Sequence, residues 1–174
     1  MRKLVLLALC ALLAVGCADQ PGDPLDDGEE VDAQTLQQRP SMEEVTARYE
    51  QMQQKLRDRL SADLGLTTAW VDDGESGSSG CKEAPDVPGA EKHSLNIWTY
   101  HGNIPDSQWP QAQRIATEVA GEYGFGAPEV ILDRPGEHNI VLHDSFGADL
   151  DFATSTNTIM RVHTGCHLLQ SAKG

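Results

Sequence analysis

The sequence predicts an α+β domain, a two-layer sandwich of two helices packed on a mainly antiparallel sheet of about five or six strands. Three observations predict it. Two stretches place apolar residues every three or four positions, the helical period. Four later stretches alternate apolar and polar residues, the strand period. The second helix is followed by an unbroken run of strands, an order that favours an antiparallel sheet over a parallel one.

The first helix opens at Ser41-Met42-Glu43-Glu44, a capping box in which Ser41 covers a free helix N–H and Glu44 reaches back. Val45, Tyr49, Met52, Leu56, Leu60 and Leu64 make one apolar stripe, and Gly65 ends the helix. Thr67–Val71 can form a strand. Asp72 to Lys92, rich in Gly, Ser, Asp and Pro, is expected to be a long loop around Cys81. Ser94–Tyr100 reads as a strand with Leu95, Ile97 and Thr99 on one face. Asp106 or Ser107 is the expected cap of the second helix, with Pro110 in its first turn. Ala112, Ile115, Ala116, Val119 and Tyr123 form its inner face, and Gly124 and Gly126 stop it. Glu129–Leu132 and Asn139–His143 flank a turn at Arg134-Pro135-Gly136-Glu137. Asp149–Ala153, with Leu150 and Phe152 inward, and Asn157–Val162 complete the set. Residues 41–174 suffice for a single core.

Before this domain the chain changes character twice. Arg2 and Lys3 precede an apolar run of 12 residues, Leu4–Val15, followed by Gly16 and Cys17. A membrane span needs roughly 20 apolar residues, so residues 1–16 read as a secretory signal peptide. Ala14-Val15-Gly16-Cys17 resembles a lipobox, in which the cysteine is diacylated and becomes the mature N-terminus. Residues 18–40 hold seven acids, one base and Pro21, Pro24 and Pro40. With so few apolar groups, the stretch from lipidated Cys17 to Pro40 is expected to be a disordered acidic tether, spanning about 25 Å as a flexible coil.

Charge excludes some partners. The whole chain carries a formal −14, and loss of Arg2 and Lys3 takes it to −16. Phosphate backbones need clustered Lys and Arg, so nucleic acid is not an expected partner. The expected membrane contact runs through the N-terminal lipid, since two acyl chains hold stably where one is marginal. Cys10 leaves with the signal peptide, so Cys81 and Cys166 remain in an exported chain. A disulfide is their default pairing, and a catalytic thiol is the alternative.

Other residue sets invite chemistry. His143-Asp144-Ser145 holds the three types of a hydrolytic triad, but strand neighbours face opposite sides, and a turn is the simpler reading. His163 and His167 flank Thr164-Gly165-Cys166. In an extended segment they stand about 13 Å apart, too far to share a zinc ion. Trp70, Trp98 and Trp109 are expected in or beside the core rather than as a sugar platform. Asp72, Asp73 and Glu75 lack a calcium-loop pattern and are expected to serve solvation. No catalytic, metal or cofactor residue is assigned. His143, His163 and His101 are the candidates should an acid or base be needed.

The lipobox, the acidic linker, Arg39-Pro40-Ser41 before an amphipathic helix, Ser79-Gly80-Cys81 and the closing Thr164-Gly165-Cys166-His167 together resemble the LppA-like lipoproteins of actinobacteria, over residues 39–168. The resemblance implies a membrane-anchored envelope protein whose two cysteines match the family's paired positions. It carries over no catalytic residue. The expectation is a non-enzymatic module that binds another envelope protein or a wall component. The alternatives are an envelope hydrolase or wall-modifying enzyme, and a lipid or glycan carrier.

Overall fold

The computed structural model describes residues 30–174. The signal peptide, Cys17 and the tether as far as Glu29 lie outside the described residues. Among the described residues the fold is α+β, with three α-helices and one antiparallel sheet of nine strands.

The coil expected through residue 40 ends earlier. Asp32 accepts a hydrogen bond from Thr35 N and caps a short helix, α1 (Ala33–Gln38). Leu36 on that helix is fully buried, and Val31 N donates to Glu83 O at 2.7 Å. The acids and prolines hid this turn, because the apolar surface that Leu36 meets comes from far along the chain. The next helix, α2 (Met42–Leu64), forms as its sequence dictates. Both bonds of the capping box are made, and Gly65 closes the helix at φ 68°, a left-handed conformation that favours glycine. All six residues of its apolar stripe are buried.

Nine strands replace the expected five or six. Thr67–Val71 yields only β1 (Val71–Asp72), and the expected loop contains β2 (Gly77–Gly80) and most of β3 (Ala90–Ser94). The expected strand 94–100 is split: Leu95, Asn96 and Ile97 lie outside the ladders, and β4 is Trp98–Tyr100. Leu95, Ile97 and Thr99 are nonetheless all buried. Helix α3 (Trp109–Gly121) begins without a side-chain cap. Asp106, an expected cap, instead accepts from Gly136 N and contacts His138 Nε2.

The closing strands are β5 (Glu129–Arg134), β6 (Glu137–His143), β7 (Asp149–Thr154), β8 (Thr158–His163) and the short β9 (His167–Leu168). Pro135 and Gly136 make the β5–β6 turn, with Gly136 at φ 79°. The sheet runs β1-β4-β8-β7-β6-β5, and β3 joins β8 and β9 to β2.

Alternation along β6, β7 and β8 puts Ile140, Leu142, Leu150, Phe152, Met160 and Val162 on the face shared with α2 and α3. All six are 0–1% exposed. Burying each such side chain stabilises the fold by about 1.5–3 kcal/mol relative to exposure. The intervening positions, from Asn139 to Arg161, are half-buried on the other face. A second, smaller cluster gathers Leu36, Cys81, Ala84, Ala90, Cys166 and Leu168 at the β3–β9 end.

Candidate functional site

That smaller cluster organises the candidate site. Cys81 and Cys166 form a disulfide, with Cα atoms 5.7 Å apart and a sequence separation of 85. It ties the end of β2 to the segment joining β8 to β9. In the chain-entropy account, closing so long a loop stabilises the fold by about 4–5 kcal/mol.

The residues around it hold the backbone in place. Arg39 donates to the carbonyls of Phe146 (3.1 Å) and Cys166 (2.9 Å), and its guanidinium lies over the Phe146 ring. Pro40 O accepts from Nδ1 of His167 at 2.9 Å. Thr164 Oγ1 accepts from His93 N, and Thr164 N donates to His93 O. Gly165 is required by close approach, because a Cβ there would stand 1.9 Å from the Phe146 carbonyl oxygen. The segment 39–41 thus grips the segment 164–167, two stretches more than 120 residues apart. Burial pushes the His167 imidazole below its ordinary pKa; the Pro40 bond opposes this, and the positive charge of Arg39 adds to it. Its other nitrogen, Nε2, is buried without a partner, which suits the neutral ring.

Beside the disulfide lies Glu83, one carboxylate oxygen 3.3 Å from Cys166 Sγ and 3.6 Å from Cys81 Sγ. Its other oxygen pairs with Lys92, which holds the carboxyl below the usual carboxylate range. Two sulfurs and a carboxylate could hold a metal ion, but a closed disulfide offers no thiolate to bind one. A cleft of about 510 Å³ opens here, lined by Thr35, Arg39, Glu83, Lys92, Phe146 and Cys166 among others. An adjoining cleft of about 340 Å³ shares Lys92 and Gly147 and reaches Ser94, Asp149 and His163. Its floor is a row across three strands, with Ser94 opposite His163 and His163 opposite Asp149. Ser94 Oγ and His163 Nδ1 are 2.8 Å apart. Burial raises the Asp149 carboxyl above its ordinary pKa, against the lowering pull of His163 and His143.

The sequence candidates therefore divide. Asp144 accepts from the Tyr49 hydroxyl and from the backbone N–H of Phe146 and Ala148, so it holds the β6–β7 turn. Burial and that carboxylate push the Tyr49 hydroxyl pKa far upward. His143 is exposed at the strand end, and His101 is exposed after β4. His163 and His167 contact different partners, Ser94 and Pro40, and share no site. Trp109 is buried and stacked against His138 and Phe152, with ring centroids 5.0 and 5.3 Å away. Trp98 lies under Arg57, and Trp70 donates to Ser61. Asp72 and Asp73 accept from Gly74, Asn96 and Thr99, so they brace their loop rather than merely solvate it. Sequence reasoning passed over Glu83, Lys92 and Ser94, because Glu83 meets Cys166 across 83 residues and Ser94 meets His163 across 69.

Fold and site together define a small α+β domain closed at one sheet end by a disulfide. Two solved structures share the fold. LppA of Mycobacterium tuberculosis is 17% identical with a TM-score of 0.66, over 79% of this chain and 84% of that one. A DUF4853 family protein from Actinomyces odontolyticus is 16% identical with a TM-score of 0.55, over 76% and 72%. The chain itself belongs to the LppA family, described as "Lipoprotein confined to pathogenic Mycobacterium", whose sequence profile matches residues 18–170. No curated protein matches it.

Proposed function

We propose that the chain is a membrane-anchored cell-envelope lipoprotein, held by acylated Cys17, whose domain acts as a non-enzymatic binding module. The cleft beside the disulfide would face another envelope protein or a wall component. One observation carries this reading: an open cleft of mixed polar and apolar lining lies against the disulfide, with Arg39, Glu83, Lys92 and Cys166 in its walls, and Arg39 and His167 fix the backbone behind it. Membership of a lipoprotein family supports the anchor. The carrier alternative asks for a compartment between helix and sheet, where Tyr49, Met52, Leu56, Phe152 and Met160 fill the space at 0–1% exposure.

In-cell photocrosslinking tests the binding reading. A crosslinker at Ser145, in the cleft, should give reproducible adducts that a crosslinker at Lys55 on α2 does not. Equal adducts from both positions, or none from Ser145, would contradict it. Cys17→Ser should release the protein from the membrane fraction, and undiminished retention would remove the lipid anchor from the account.

A second reading rests on Ser94 and His163. A hydroxyl 2.8 Å from an imidazole nitrogen is the pairing of a nucleophile with its base. This supports the envelope-hydrolase alternative; Asp149 lies across the ladder from His163 and makes no hydrogen bond to it. A fluorophosphonate probe should then label Ser94 and fail in His163→Ala; an unlabelled native protein would leave the binding reading alone.

A further inference from the structure

The sheet ends at β5 with nothing paired to its outer side among the described residues. Five of its six residues are exposed. Of the three large hydrophobic residues exposed among the described residues, two stand together on this strand: Val130 at 56% and Ile131 at 53%. Folded proteins usually guard such an edge with charge, a bulge or a covering segment, because its free N–H and C=O groups invite another strand. This strand has a bulge between Val130 and Leu132, yet the bulge leaves Ile131 in water. A shallow groove of about 460 Å³ adjoins the start of the strand, lined by Pro110, Gln113, Arg114, Thr117, Glu118 and Pro128. It extends the apolar surface onto α3.

The strand's charges indicate what could cover it. Glu129 and Arg134 stand at its two ends. In antiparallel pairing of two copies centred on Ile131 and Leu132, each Glu129 comes opposite the partner's Arg134, and this happens twice. Ile131 and Leu132 then meet at the centre, and each Val130 comes opposite the partner's Asp133. Opposite charges directly across a ladder stabilise it and like charges oppose it, so this register is favoured over parallel pairing. A self-complementary patch of this kind closes on itself as a two-fold dimer and does not propagate. The chain's acidity works against association, but salt at physiological strength screens charges beyond about 8 Å. Anchoring would also concentrate copies on one surface.

We propose that β5 is a self-association edge, on which a second copy of this chain adds its own β5 to continue the sheet across a two-fold axis. The proposal uses the end of the sheet remote from the disulfide cleft and does not depend on what the cleft binds.

The test uses the full chain in its native membrane, with a photocrosslinker at Ile131 and tagged and untagged copies expressed together. The expected result is an adduct of twice the chain mass containing both copies. Glu129→Arg alone, or Arg134→Glu alone, should lower that adduct at least fivefold. The charge-exchanged double variant should restore it to within twofold. Arg134 also pairs with Glu137 on the surface, and such exposed pairs add little to stability, so folding is not at stake. Ile131→Lys, at an exposed position, should abolish co-capture of the two copies while circular dichroism stays unchanged. The proposal is overturned by no self-adduct, by adducts only to other proteins, or by a self-adduct that the single charge reversals leave undiminished.

Discussion

The two hydrophobic clusters of this domain are built in different ways. The larger one lies between α2, α3 and the β6–β8 meander, and it comes from long segments whose apolar periodicity is local even where the elements that meet are far apart in sequence. The smaller one, around Cys81 and Cys166, is pieced together from short fragments at residues 31–39, 81–90 and 164–168. It is held by a disulfide, a guanidinium on two carbonyls and an imidazole on a third. Burial dominates the first cluster, whereas the second depends on specific links that compensate for scant apolar area. The candidate binding surface thus lies beside the cluster that specific links hold in place.

Substitutions can break the comparison, and the largest effect should come from the main core. Phe152→Ala removes a fully buried ring stacked on Trp109 and should cost about 3–5 kcal/mol in denaturant unfolding. Replacing Cys81 and Cys166 together by Ala should cost about 2–4 kcal/mol by the same measurement, less than the chain-entropy figure because the unfolded chain keeps residual structure, with far-ultraviolet circular dichroism unchanged. Arg39→Ala leaves the carbonyls of Phe146 and Cys166 without their donor and should cost about 1.5–3 kcal/mol. Its effect should shrink in the disulfide-free background, because both substitutions loosen the same segment.

Acidity acts with opposite signs on His167 at the disulfide end and on Asp151, which lies on the sheet face turned away from the main core. His167 has its pKa lowered by burial, so the unfolded chain takes up a proton first as pH falls. The stability it contributes is full above its unfolded value of about 6.5 and is lost as pH drops from there toward the folded pKa. The slope of unfolding midpoint against pH between 5 and 7 should flatten in His167→Gln. Asp151 has its carboxyl pKa raised, chiefly by burial. It therefore opposes folding at neutral pH, and the opposition eases as pH falls through its folded value. Asp151→Asn should raise the melting midpoint at pH 7 by about 2 °C, the smallest effect here.

How much of this was legible follows the same division. The stripe from Val45 to Leu64, the capping box at Ser41, the Pro135-Gly136 turn and the inward Leu150 and Phe152 are local signals, and each reappears where the sequence placed it. The β2 segment Gly-Ser-Ser-Gly has no apolar alternation and is fully exposed. It is a strand only because β3 is there to pair with it. The short helix α1 was hidden by its acids and prolines, since Leu36 finds its contacts among residues some 45 or more positions away. The disulfide was legible from cysteine arithmetic in a chain whose sequence reads as exported. The pairing of Ser94 with His163 was not, because no local pattern encodes a register between β3 and β8. The family motifs Arg39-Pro40-Ser41 and Thr164-Gly165-Cys166-His167 were visible as words, and the structure supplies their grammar: one segment grips the other.

Hydrogen exchange read by mass spectrometry, comparing the native protein with Arg39→Ala, tests most directly whether the disulfide end is a separately held unit. The account predicts faster exchange confined to residues 31–39, 81–92 and 165–173, with β6, β7 and β8 as protected as in the native protein. Equal acceleration across those three strands would mean that the two clusters open as one, and that the motifs at the disulfide end serve the whole fold.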